Sequence, residues 1–500
     1  MVSMKKAKLV KFDIPPHILL VVEGLESAGF EAYIVGGCVR DLLLGIEPKD
    51  WDVTTNAKPE EVQKLFWDSV YENEFGTVGI KIRNQNADRK EITEVVEVTT
   101  YRIESKYSDK RHPDEVKFAK TLSEDLSRRD FTVNALVLKV GKNNELEIID
   151  LYYGQKDLEN KLIRAVGDAD ERFNEDALRM MRAIRFSVTL GFAIEEKTFL
   201  AIQKNANNLK HISPERIRDE LVKIILSPTP AQGIELLQKA GVLKIILPEI
   251  ESGMDVMQSH HHYYGPYNTV YKHLVASLEK CPSEKLEVRL AALLHDVGKP
   301  KSKRGDGENA TFYNHEYIGE QIVKNILERL RFSRCVIDRA TLLVRNHMFY
   351  YNVDEVGEAG VRRVVQKIGL ENINDLIDVR IADRLGSGVP KAIPYKLRHF
   401  KFMVEKVSHD PISVKQLKLN GNDLMKELGV EPGPKIGAIL AILLSQVIDD
   451  PMLNDKEKLI KLAKELVKSN VEDLCRMAED KIKNEQKKEE NLIKKKHKVS

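Results

Sequence analysis

Cysteine is scarce in this sequence, which has only four among 500 residues. Cys38, Cys281, Cys335 and Cys475 lie far apart, and none has the close spacing of a zinc site or of a disulfide framework. The scarcity therefore argues against both kinds of site, and it predicts a protein of the reducing cytoplasm.

Long apolar runs are absent as well. No stretch is long enough to span a bilayer, so we predict no membrane partner. Near the N-terminus, Phe12, Asp13, Pro15 and Pro16 interrupt the apolar residues, and no signal peptide is evident.

The sequence also lacks an excess of positive or negative charge. The formal net charge is only +2, from 79 basic and 77 acidic side chains. A nucleic-acid partner would therefore need a local basic patch, because the whole molecule has no strong positive field. Hydrophobic residues make up 42% of the chain, which supports buried cores, and the length predicts about three or four domains.

The most informative stretch covers residues 33–55. An aromatic and two β-branched residues precede Gly36 and Gly37, which predicts a buried strand that ends in a tight turn. The turn leaves backbone N–H groups open to an anion, and the helix predicted over residues 38–44 begins beside it, with Arg40 in its first turn. This arrangement is suited to binding a phosphate.

Two carboxylates follow the turn. Asp50 and Asp52 lie in a segment predicted as a second strand, in which alternate side chains share a face. Beside a turn that accepts phosphate, such a pair can hold divalent metal ions for phosphoryl or nucleotidyl transfer.

Together, the glycine pair, Arg40 and the two aspartates resemble the nucleotidyltransferase superfamily of DNA polymerase beta. The resemblance is greatest to the bacterial class II tRNA nucleotidyltransferases and poly(A) polymerases. It implies that Asp50 and Asp52 bind catalytic Mg²⁺, with Glu97 as a third acidic residue on a later strand. It also implies that the two glycines and Arg40 position the nucleotide. For Glu97, a sheet-edge position without a catalytic role is the alternative.

Two further segments resemble motifs of the same family. Residues 126–136 resemble motif B, which implies that Arg129 reaches the triphosphate or ribose. Residues 173–186 resemble motif D, where Asn174 is a predicted helix cap. Four side chains recur there at every third position, namely Asp176, Arg179, Arg182 and Arg185. Neighbouring pairs share a helix face, so we predict nucleotide binding, with the first pair reading the base edge. The alternative is an ordinary helix with an acidic first turn and a basic stripe.

The segment over residues 104–116 is polar and rich in helix and strand breakers, which predicts a mobile loop. The family resemblance implies a loop that moves between the addition of cytidine and the addition of adenosine.

A second constellation combines imidazole and carboxylate groups. His295 and Asp296 are adjacent after an apolar helix, with His273 upstream and Asp383 downstream. Such ligands suit a transition metal, here manganese, nickel, cobalt, iron or zinc. The pattern resembles the HD superfamily of metal-dependent phosphohydrolases, which implies that these four residues are the primary ligands. Two more residues match positions used for a second metal, His315 and His347. The nearby run over residues 260–262 is interpreted as a flanking loop.

The predicted fold class is an α/β head followed by an all-α neck, HD domain and tail. The boundaries are 15–160 for the nucleotidyltransferase head, 161–255 for a neck that binds nucleotide and RNA, 256–400 for the HD domain, 401–478 for a tRNA-binding tail, and 479–500 for a charged extension. In the tail, Lys435 at a helix start either holds a nucleic-acid phosphate or belongs to a plain packing element.

These motifs predict a template-independent tRNA nucleotidyltransferase that adds CCA to tRNA 3′ ends. The predicted partners are tRNA, CTP and ATP, and no feature points to a protein partner. The nearest alternative is an A-adding enzyme or poly(A) polymerase, because sequence separates these activities poorly. An HD phosphohydrolase with a degenerate transferase head is a second alternative, against which the intact Asp50 and Asp52 pair argues. A binding-only RNA chaperone would need neither metal constellation.

Overall fold

The computed structural model describes ten parts of the chain: residues 12–73, 76–83, 92–105, 115–141, 145–258, 268–305, 310–353, 355–408, 413–470 and residue 473. Three sequence predictions lie outside them: the middle of the loop at 104–116, the histidine run at 260–262, and the extension at 479–500. The chain divides into two compact units. The first is Met1–Glu251 with Glu328–Phe332, and the second is Ser252–Leu327 with Ser333–Ser500.

A seven-stranded mixed sheet forms the centre of the first unit, in the order β3-β4-β5-β2-β1-β8-β9. Only the β2–β5 pair is parallel, and the other neighbours are antiparallel. The strands of the unit are β1 (Ala32–Val35), β2 (Asp52–Thr55), β3 (Ser69–Asn73), β4 (Thr77–Arg83), β5 (Ile92–Thr100), β6 (Arg102–Ser105), β7 (Glu115–Phe118), β8 (Leu136–Val140), β9 (Leu146–Asp150), β10 (Leu162–Ile163) and β11 (Ala193–Ile194).

Alternation along the strands places their apolar side chains in the core. On β5, Val96 and Val98 are fully buried whereas Val95 and Glu97 are exposed, as expected when successive side chains point to opposite faces. β6 and β7 form a separate antiparallel pair at the two ends of the predicted loop over residues 104–116.

Helices cover the sheet and continue after it. They are α1 (Pro16–Ser27), α2 (Gly37–Leu43), α3 (Pro59–Leu65), α4 (Leu122–Ser127), α5 (Gly154–Glu159), α6 (Ala169–Glu175), α7 (Leu178–Leu190), α8 (Glu196–Asn205), α9 (Pro214–Ile225), α10 (Pro230–Lys239), α11 (Leu243–Ile246) and α12 (Pro248–Glu251). The prediction that everything after residue 160 is helical is wrong in one detail. β10 and β11 pair in parallel, because the chain returns beside residue 162 after α7.

The second unit is built from helices. They are α13 (Val270–Glu279), α14 (Leu286–Leu294), α15 (Lys299–Ser302), α16 (His315–Arg329, whose last two residues belong to the first unit), α17 (Arg334–Asn346), α18 (Glu358–Ile368), α19 (Ile373–Gly386), α20 (Tyr395–Val407), α21 (Gly421–Leu428), α22 (Pro434–Asp449) and α23 (Lys456–Val467). α13 and α14 pack against each other, and α19 packs against both. In the described part of the chain, no helix is both long enough and apolar enough to cross a membrane.

The predicted tail has a core of its own. Leu419, Leu424, Ile439, Leu443 and Leu459 are fully buried together between α21, α22 and α23. The Lys435 amino group donates to the backbone oxygen of Val467, 2.7 Å away, at the end of α23. This contact favours the packing interpretation of the α22 start over the phosphate-binding one.

Candidate active site and metal centre

The turn between β1 and α2 requires glycine at position 36. Gly36 has a φ of 90°, a conformation that other residues rarely adopt. A Cβ atom built there would lie 3.0 Å from Nη1 of Arg129 and 3.4 Å from Oδ2 of Asp52. The glycine therefore allows a guanidinium and a carboxylate to approach the same backbone turn.

Asp52 opens β2 and is paired in register with Glu97 of the parallel strand β5. Directly paired residues point to the same face of a sheet, so both carboxylates face one side. Asp50 precedes the strand and is exposed, so the prediction that it lies within the strand is wrong. Burial raises the pKa of the Asp52 carboxyl, the Arg129 charge lowers it, and the Asp50 charge raises it again.

Arg129 is held beside these carboxylates by a buried acid that sequence reasoning did not single out. Asp125 is fully buried, and its Oδ2 lies 3.5 Å from Nη2 of Arg129. Burial raises the pKa of Asp125, but the charges of Arg128 and Arg129 outweigh it and lower the pKa overall. Among the described residues, no acceptor meets the buried Nε of Arg129. The guanidinium therefore keeps donor capacity for a ligand.

Arg40 and Arg182 join one buried network. Arg40 donates to Oδ1 of Asn134 over 2.6 Å, and Asn134 donates to Oδ1 of Asp130 over 3.0 Å. Arg182 donates twice to Oδ2 of Asp130, over 2.6 and 2.9 Å. Burial alone would raise the pKa of Asp130, but Arg182 and Asn134 lower it to about 2. Both Asp130 and Asn134 lie in motif B, yet nothing in their local sequence indicates this long-range role.

The α7 arginines were predicted to be available for a ligand, and in the structure each has an acidic partner. Arg179 pairs with Glu175 at 2.6 Å, and Nε of Arg185 lies 2.7 Å from Glu220 of α9. A buried guanidinium needs such compensation. Three guanidiniums also surround the Phe186 ring, with their Cζ atoms 5.1, 5.5 and 3.8 Å from its centroid: Arg40, Arg182 and Arg185.

Asp176 lies between two helices, not inside one. α6 ends at Glu175 and α7 begins at Leu178, so the prediction that Asn174 caps a helix containing Asp176 is wrong. The α6 cap is Asp168, whose side chain accepts from the Glu171 N–H. The Asp176 carboxylate accepts from the Leu178 N–H and pairs with Arg216 at 2.7 Å. Asp176 and Arg179 are therefore near neighbours with different ionic partners.

The second constellation is assembled in the core of the second unit. His273 lies on α13, His295 and Asp296 follow α14, and Asp383 lies on α19. Nε2 of His273 is 2.9 Å from Nε2 of His295, 3.3 Å from Oδ2 of Asp296 and 3.4 Å from Oδ1 of Asp383. The four predicted primary ligands thus converge on one point.

Two more histidines meet the other oxygen of Asp296. Oδ1 of Asp296 lies 3.1 Å from Nε2 of His315 and 3.6 Å from Nε2 of His347. The described residues therefore contain two triads that could hold a metal ion, His273, His295 and Asp296, and then Asp296, His315 and His347, with all five residues buried. One carboxylate with an oxygen in each triad is the arrangement expected of a bridging ligand.

Backbone carbonyl groups orient three of the histidine rings in this cluster. The Nδ1 atoms of His295, His315 and His347 each lie within 2.9 Å of a backbone carbonyl, those of Ala292, Phe312 and Val344. Such contacts place the proton on Nδ1 and leave the Nε2 lone pair directed inward, as in protein metal sites. The donor set and its orientation fit a transition metal.

Two cationic side chains that the sequence analysis did not identify lie next to this cluster. Nζ of the buried Lys299 is 2.5 Å from Oδ2 of Asp296, and Nη1 of Arg380 donates to Oδ2 of Asp383 over 2.9 Å. Burial opposes ionisation, but these cations and the histidines hold the pKa of both carboxyls well below the usual range. Burial lowers the pKa of His273, while Asp296 and Asp383 outweigh it and raise the pKa to about 9.

Three protein-family models match this chain. "Poly A polymerase head domain" matches residues 32–164, "Probable RNA and SrmB- binding site of polymerase A" matches 191–254, and a model for tRNA nucleotidyltransferase domain 2 matches 317–463. These ranges leave out residues 255–316, in which four of the six predicted metal ligands lie.

Curated relatives and solved structures agree with these matches. The CCA-adding enzyme of Ligilactobacillus salivarius is 34% identical over 456 residues, which are 91% of this chain and 97% of the relative. The enzyme of Lactobacillus helveticus is 47% identical over 233 residues, 46% of this chain and 55% of the relative. The crystal structure of the Bacillus stearothermophilus CCA-adding enzyme in complex with CTP matches with a TM-score of 0.65 and 27% identity, over 90% of this chain and 97% of that one. The chain therefore belongs to the CCA-adding enzyme family, the class II tRNA nucleotidyltransferases and poly(A) polymerases.

Proposed function

We propose that this protein adds cytidine and adenosine to the 3′ ends of tRNA from CTP and ATP. The observation that carries the proposal is the meeting of the Gly36 turn, Asp52 and Arg129, with Glu97 in register on the neighbouring strand. The relatives that match over nearly the whole chain are named CCA-adding enzymes, and the similar Bacillus stearothermophilus CCA-adding enzyme was solved in complex with CTP.

In this proposal, Asp50 and Asp52 hold Mg²⁺, and Glu97 supports them. When bound, magnesium activates the 3′-hydroxyl of the primer and neutralises charge on the triphosphate. The unpaired Nε of Arg129 supplies a charge-assisted hydrogen bond to the triphosphate or ribose. Arg40 acts less directly, because its guanidinium already donates to Asn134 and Asp41.

Base choice is assigned to Asp176 and Arg179. Cytosine and adenine both present an exocyclic amine beside a ring-nitrogen acceptor, whereas uracil and guanine present a carbonyl oxygen beside an N–H. A carboxylate accepts from the amine and a guanidinium donates to the ring nitrogen, so one such pair selects C and A. In the structure, Asp176 pairs with Arg216 and Arg179 pairs with Glu175, so a base that binds these two groups would replace those partners.

The direct test uses three tRNA substrates that lack CCA, CA or only the terminal A. Each is incubated with Mg²⁺ and with CTP, ATP or both, and the products are sized. The proposal requires two cytidines and then one adenosine on the first substrate. Addition of A alone would support the A-adding alternative, and a long adenosine tract would support a poly(A) polymerase.

A second activity is favoured by the buried cluster around Asp296. We propose that the second unit is a metal-dependent phosphohydrolase domain of the HD type. His273, His295, Asp296 and Asp383 would hold one transition-metal ion, and His315 and His347 would join Asp296 around a second one. When bound, such a metal lowers the pKa of a water molecule and polarises a phosphoryl oxygen.

This second activity has its own test. The purified protein is loaded with manganese, nickel, cobalt, iron or zinc, its metal content is measured, and hydrolysis of 2′,3′-cyclic nucleotides and phosphate monoesters is followed. Metal binding without hydrolysis would leave the cluster with a structural role. We also keep three predictions from the sequence as proposals: the domain boundaries, the cytoplasmic location and the tRNA contacts of the tail.

A further inference from the structure

The Phe186 ring lies where three guanidinium groups meet in the first unit. Its centroid is 5.1 Å from Cζ of Arg40, 5.5 Å from Cζ of Arg182 and 3.8 Å from Cζ of Arg185. All three distances are within about 6 Å, the range in which a cation is attracted to the negative face of an aromatic ring. The ring therefore gathers cations from two separate parts of the chain.

The ring connects α7 with the elements of the head. Phe186 belongs to α7, whereas Arg40 belongs to α2, which follows the glycine turn. The side chain of Phe186 is only 6% exposed, and its ring meets that of Phe131 edge-on, with the centroids 5.8 Å apart and the planes at 80°. Because packed interiors leave little room for a ring to move, Phe186 is a fixed surface against which a flexible arginine side chain can be held.

Each of these guanidiniums also has a carboxylate partner, and the closest N···O distances are 2.7, 2.6 and 2.7 Å: Asp41 with Arg40, Asp130 with Arg182, and Glu220 with Arg185. Carboxylates compensate a guanidinium at its N–H groups and leave its flat face for an aromatic ring. Burial lowers the pKa of Arg185, Glu220 raises it, and the neighbouring Arg182 charge lowers it again. The ring face offsets part of this repulsion between like charges.

Arg40 is the cation that links the ring to the glycine turn. A Cβ atom built at Gly37 would lie 3.6 Å from Nη2 of Arg40 and 4.0 Å from Nη1. The guanidinium therefore lies against the backbone that the sequence predicts to accept a phosphate. Nη1 also donates to Oδ1 of Asn134 over 2.6 Å. An arginine side chain has many rotamers, and the ring of Phe186 favours those in which the guanidinium stays at the turn.

We propose that Phe186 is a positioning residue for the nucleoside triphosphate, because its ring holds the guanidinium of Arg40 against the glycine turn. Phe186 itself touches no nucleotide in this proposal. It acts on the phosphate side of the ligand, so it contributes to the affinity for CTP and ATP alike and not to the choice of base. The proposal rests on the nucleotide addition proposed above, and it adds an aromatic side chain to the groups that serve it.

Fluorination of the ring tests this role with little change in its shape. In the full-length protein, Phe186 is replaced by mono-, di- and trifluorinated phenylalanine, which progressively weaken the negative ring face. Dissociation constants of CTP, ATP and inorganic triphosphate are measured with Mg²⁺ and without tRNA, so that no addition takes place. We expect all three constants to rise with each fluorine, to about threefold or more for the trifluorinated ring. The same series at Phe192, a similarly buried ring of this unit, is the matched control and should leave them unchanged.

The Arg40→Gln variant reveals whether the ring acts through Arg40. This variant should bind triphosphates more weakly, and fluorination of Phe186 should have no further effect in it. Constants that do not change along the fluorinated series would overturn the proposal, as would an equal effect of fluorination in Arg40→Gln.

The choice of ligands supplies the remaining outcomes. A rise for CTP and ATP but not for inorganic triphosphate would also overturn the proposal, because the ring would then act on the base. If the unmodified protein bound none of the three ligands, the nucleotide site itself would be refuted, and the role of Phe186 with it. A flat series in a protein that binds CTP normally would refute the role of Phe186 alone.

Discussion

Two opposing effects act on the pKa of the Asp52 carboxyl. Burial and the neighbouring Asp50 raise the pKa of its carboxyl, and Arg129 lowers it. A carboxylate kept close to a second carboxylate is relieved by a divalent cation, which the proposed chemistry supplies. We therefore expect this local charge balance, and not the overall charge of the protein, to favour the binding of a metal nucleotide at this position.

Asp50→Ala and Asp52→Ala should each abolish nucleotide addition, measured by the size of the tRNA product, while tRNA binding in a filter assay stays largely intact. The reason is that metal-mediated charge neutralisation is a large part of transition-state stabilisation. Asp338→Ala removes an exposed carboxylate of the second unit and should leave addition unchanged. Near-normal addition by both head variants would show that the motif A assignment is wrong.

Asp130 gives a prediction about acid stability. Its folded-state pKa is lowered from 3.8 to about 2, so its stabilisation is complete above pH 3.8 and is lost as the pH falls through 2. The lowering corresponds to about 2 kcal/mol at neutral pH. Asp130→Asn should therefore lower the unfolding temperature at pH 6, and the difference from wild type should shrink toward pH 2 in calorimetry. A difference that does not depend on pH would mean that shape, and not the charge pair with Arg182, accounts for the effect.

At the scale of elements, the break between α6 and α7 is the decisive feature of the basic region. An uninterrupted helix would place Asp176 and Arg179 on one face with no other demand on them. The break instead lets Asp176 reach Arg216 of α9 and leaves Arg179 beside Glu175. The junction therefore gives each of the two candidate base-reading groups its own ionic partner.

Asp176→Ala should lose discrimination as well as rate, so that UTP or GTP is incorporated. Each hydrogen bond lost in a closed pocket is worth roughly 1–3 kcal/mol, so selectivity should change by about tenfold or more. The measurement is kcat/KM for each of the four nucleotides on tRNA that lacks CCA. A uniform loss for all four nucleotides, with their ratios unchanged, would contradict the base-reading role.

Arg216→Gln is the matched control for that experiment. It removes the Arg216 charge that pairs with the Asp176 carboxylate but keeps the carboxylate itself. We expect the C and A preference to persist in this variant. A loss of preference equal to that of Asp176→Ala would assign base reading to the ion pair as a whole.

At the scale of the whole molecule, the two candidate sites lie in different compact units. The motif A carboxylates belong to the first unit and the histidine cluster to the second. Each site is surrounded by its own core and its own compensating cations. We therefore expect the two activities to be separable by mutation.

His295→Ala combined with Asp296→Ala should abolish bound transition metal and phosphoester hydrolysis, and CCA addition should persist. The milder His295→Asn keeps Asp296, so Lys299 retains its buried partner and misfolding is less of a concern. Metal content by elemental analysis and addition to tRNA are measured on the same samples. Loss of addition in the folded His295→Asn variant would contradict the independence of the sites.

Local patterns allowed much of both sites to be predicted. The β1 strand and the Gly36 turn follow from short-range signals, whereas the meeting of His273 with His295 and Asp296 was expected from the resemblance to the HD superfamily. The errors at Asp50 and Asn174 are errors of element boundaries, which depend on a few hydrogen bonds that compete closely. The partners of the α7 arginines were missed for another reason, because Glu220 is 35 residues after Arg185 in the chain.

The sequence by itself determined the chemistry: which groups can bind phosphate, which can hold a metal, and that these belong to separate segments. The reason is that a turn, a helix-capping residue or a His-Asp dipeptide can be recognised from a few neighbouring residues in the sequence. Only the tertiary structure decided which of these groups already have partners, such as Asp176 with Arg216. It alone also brought Arg40 of α2 to the Phe186 ring of α7. The physical reason is that a buried charge must be compensated by whatever the fold places beside it, however distant in the chain.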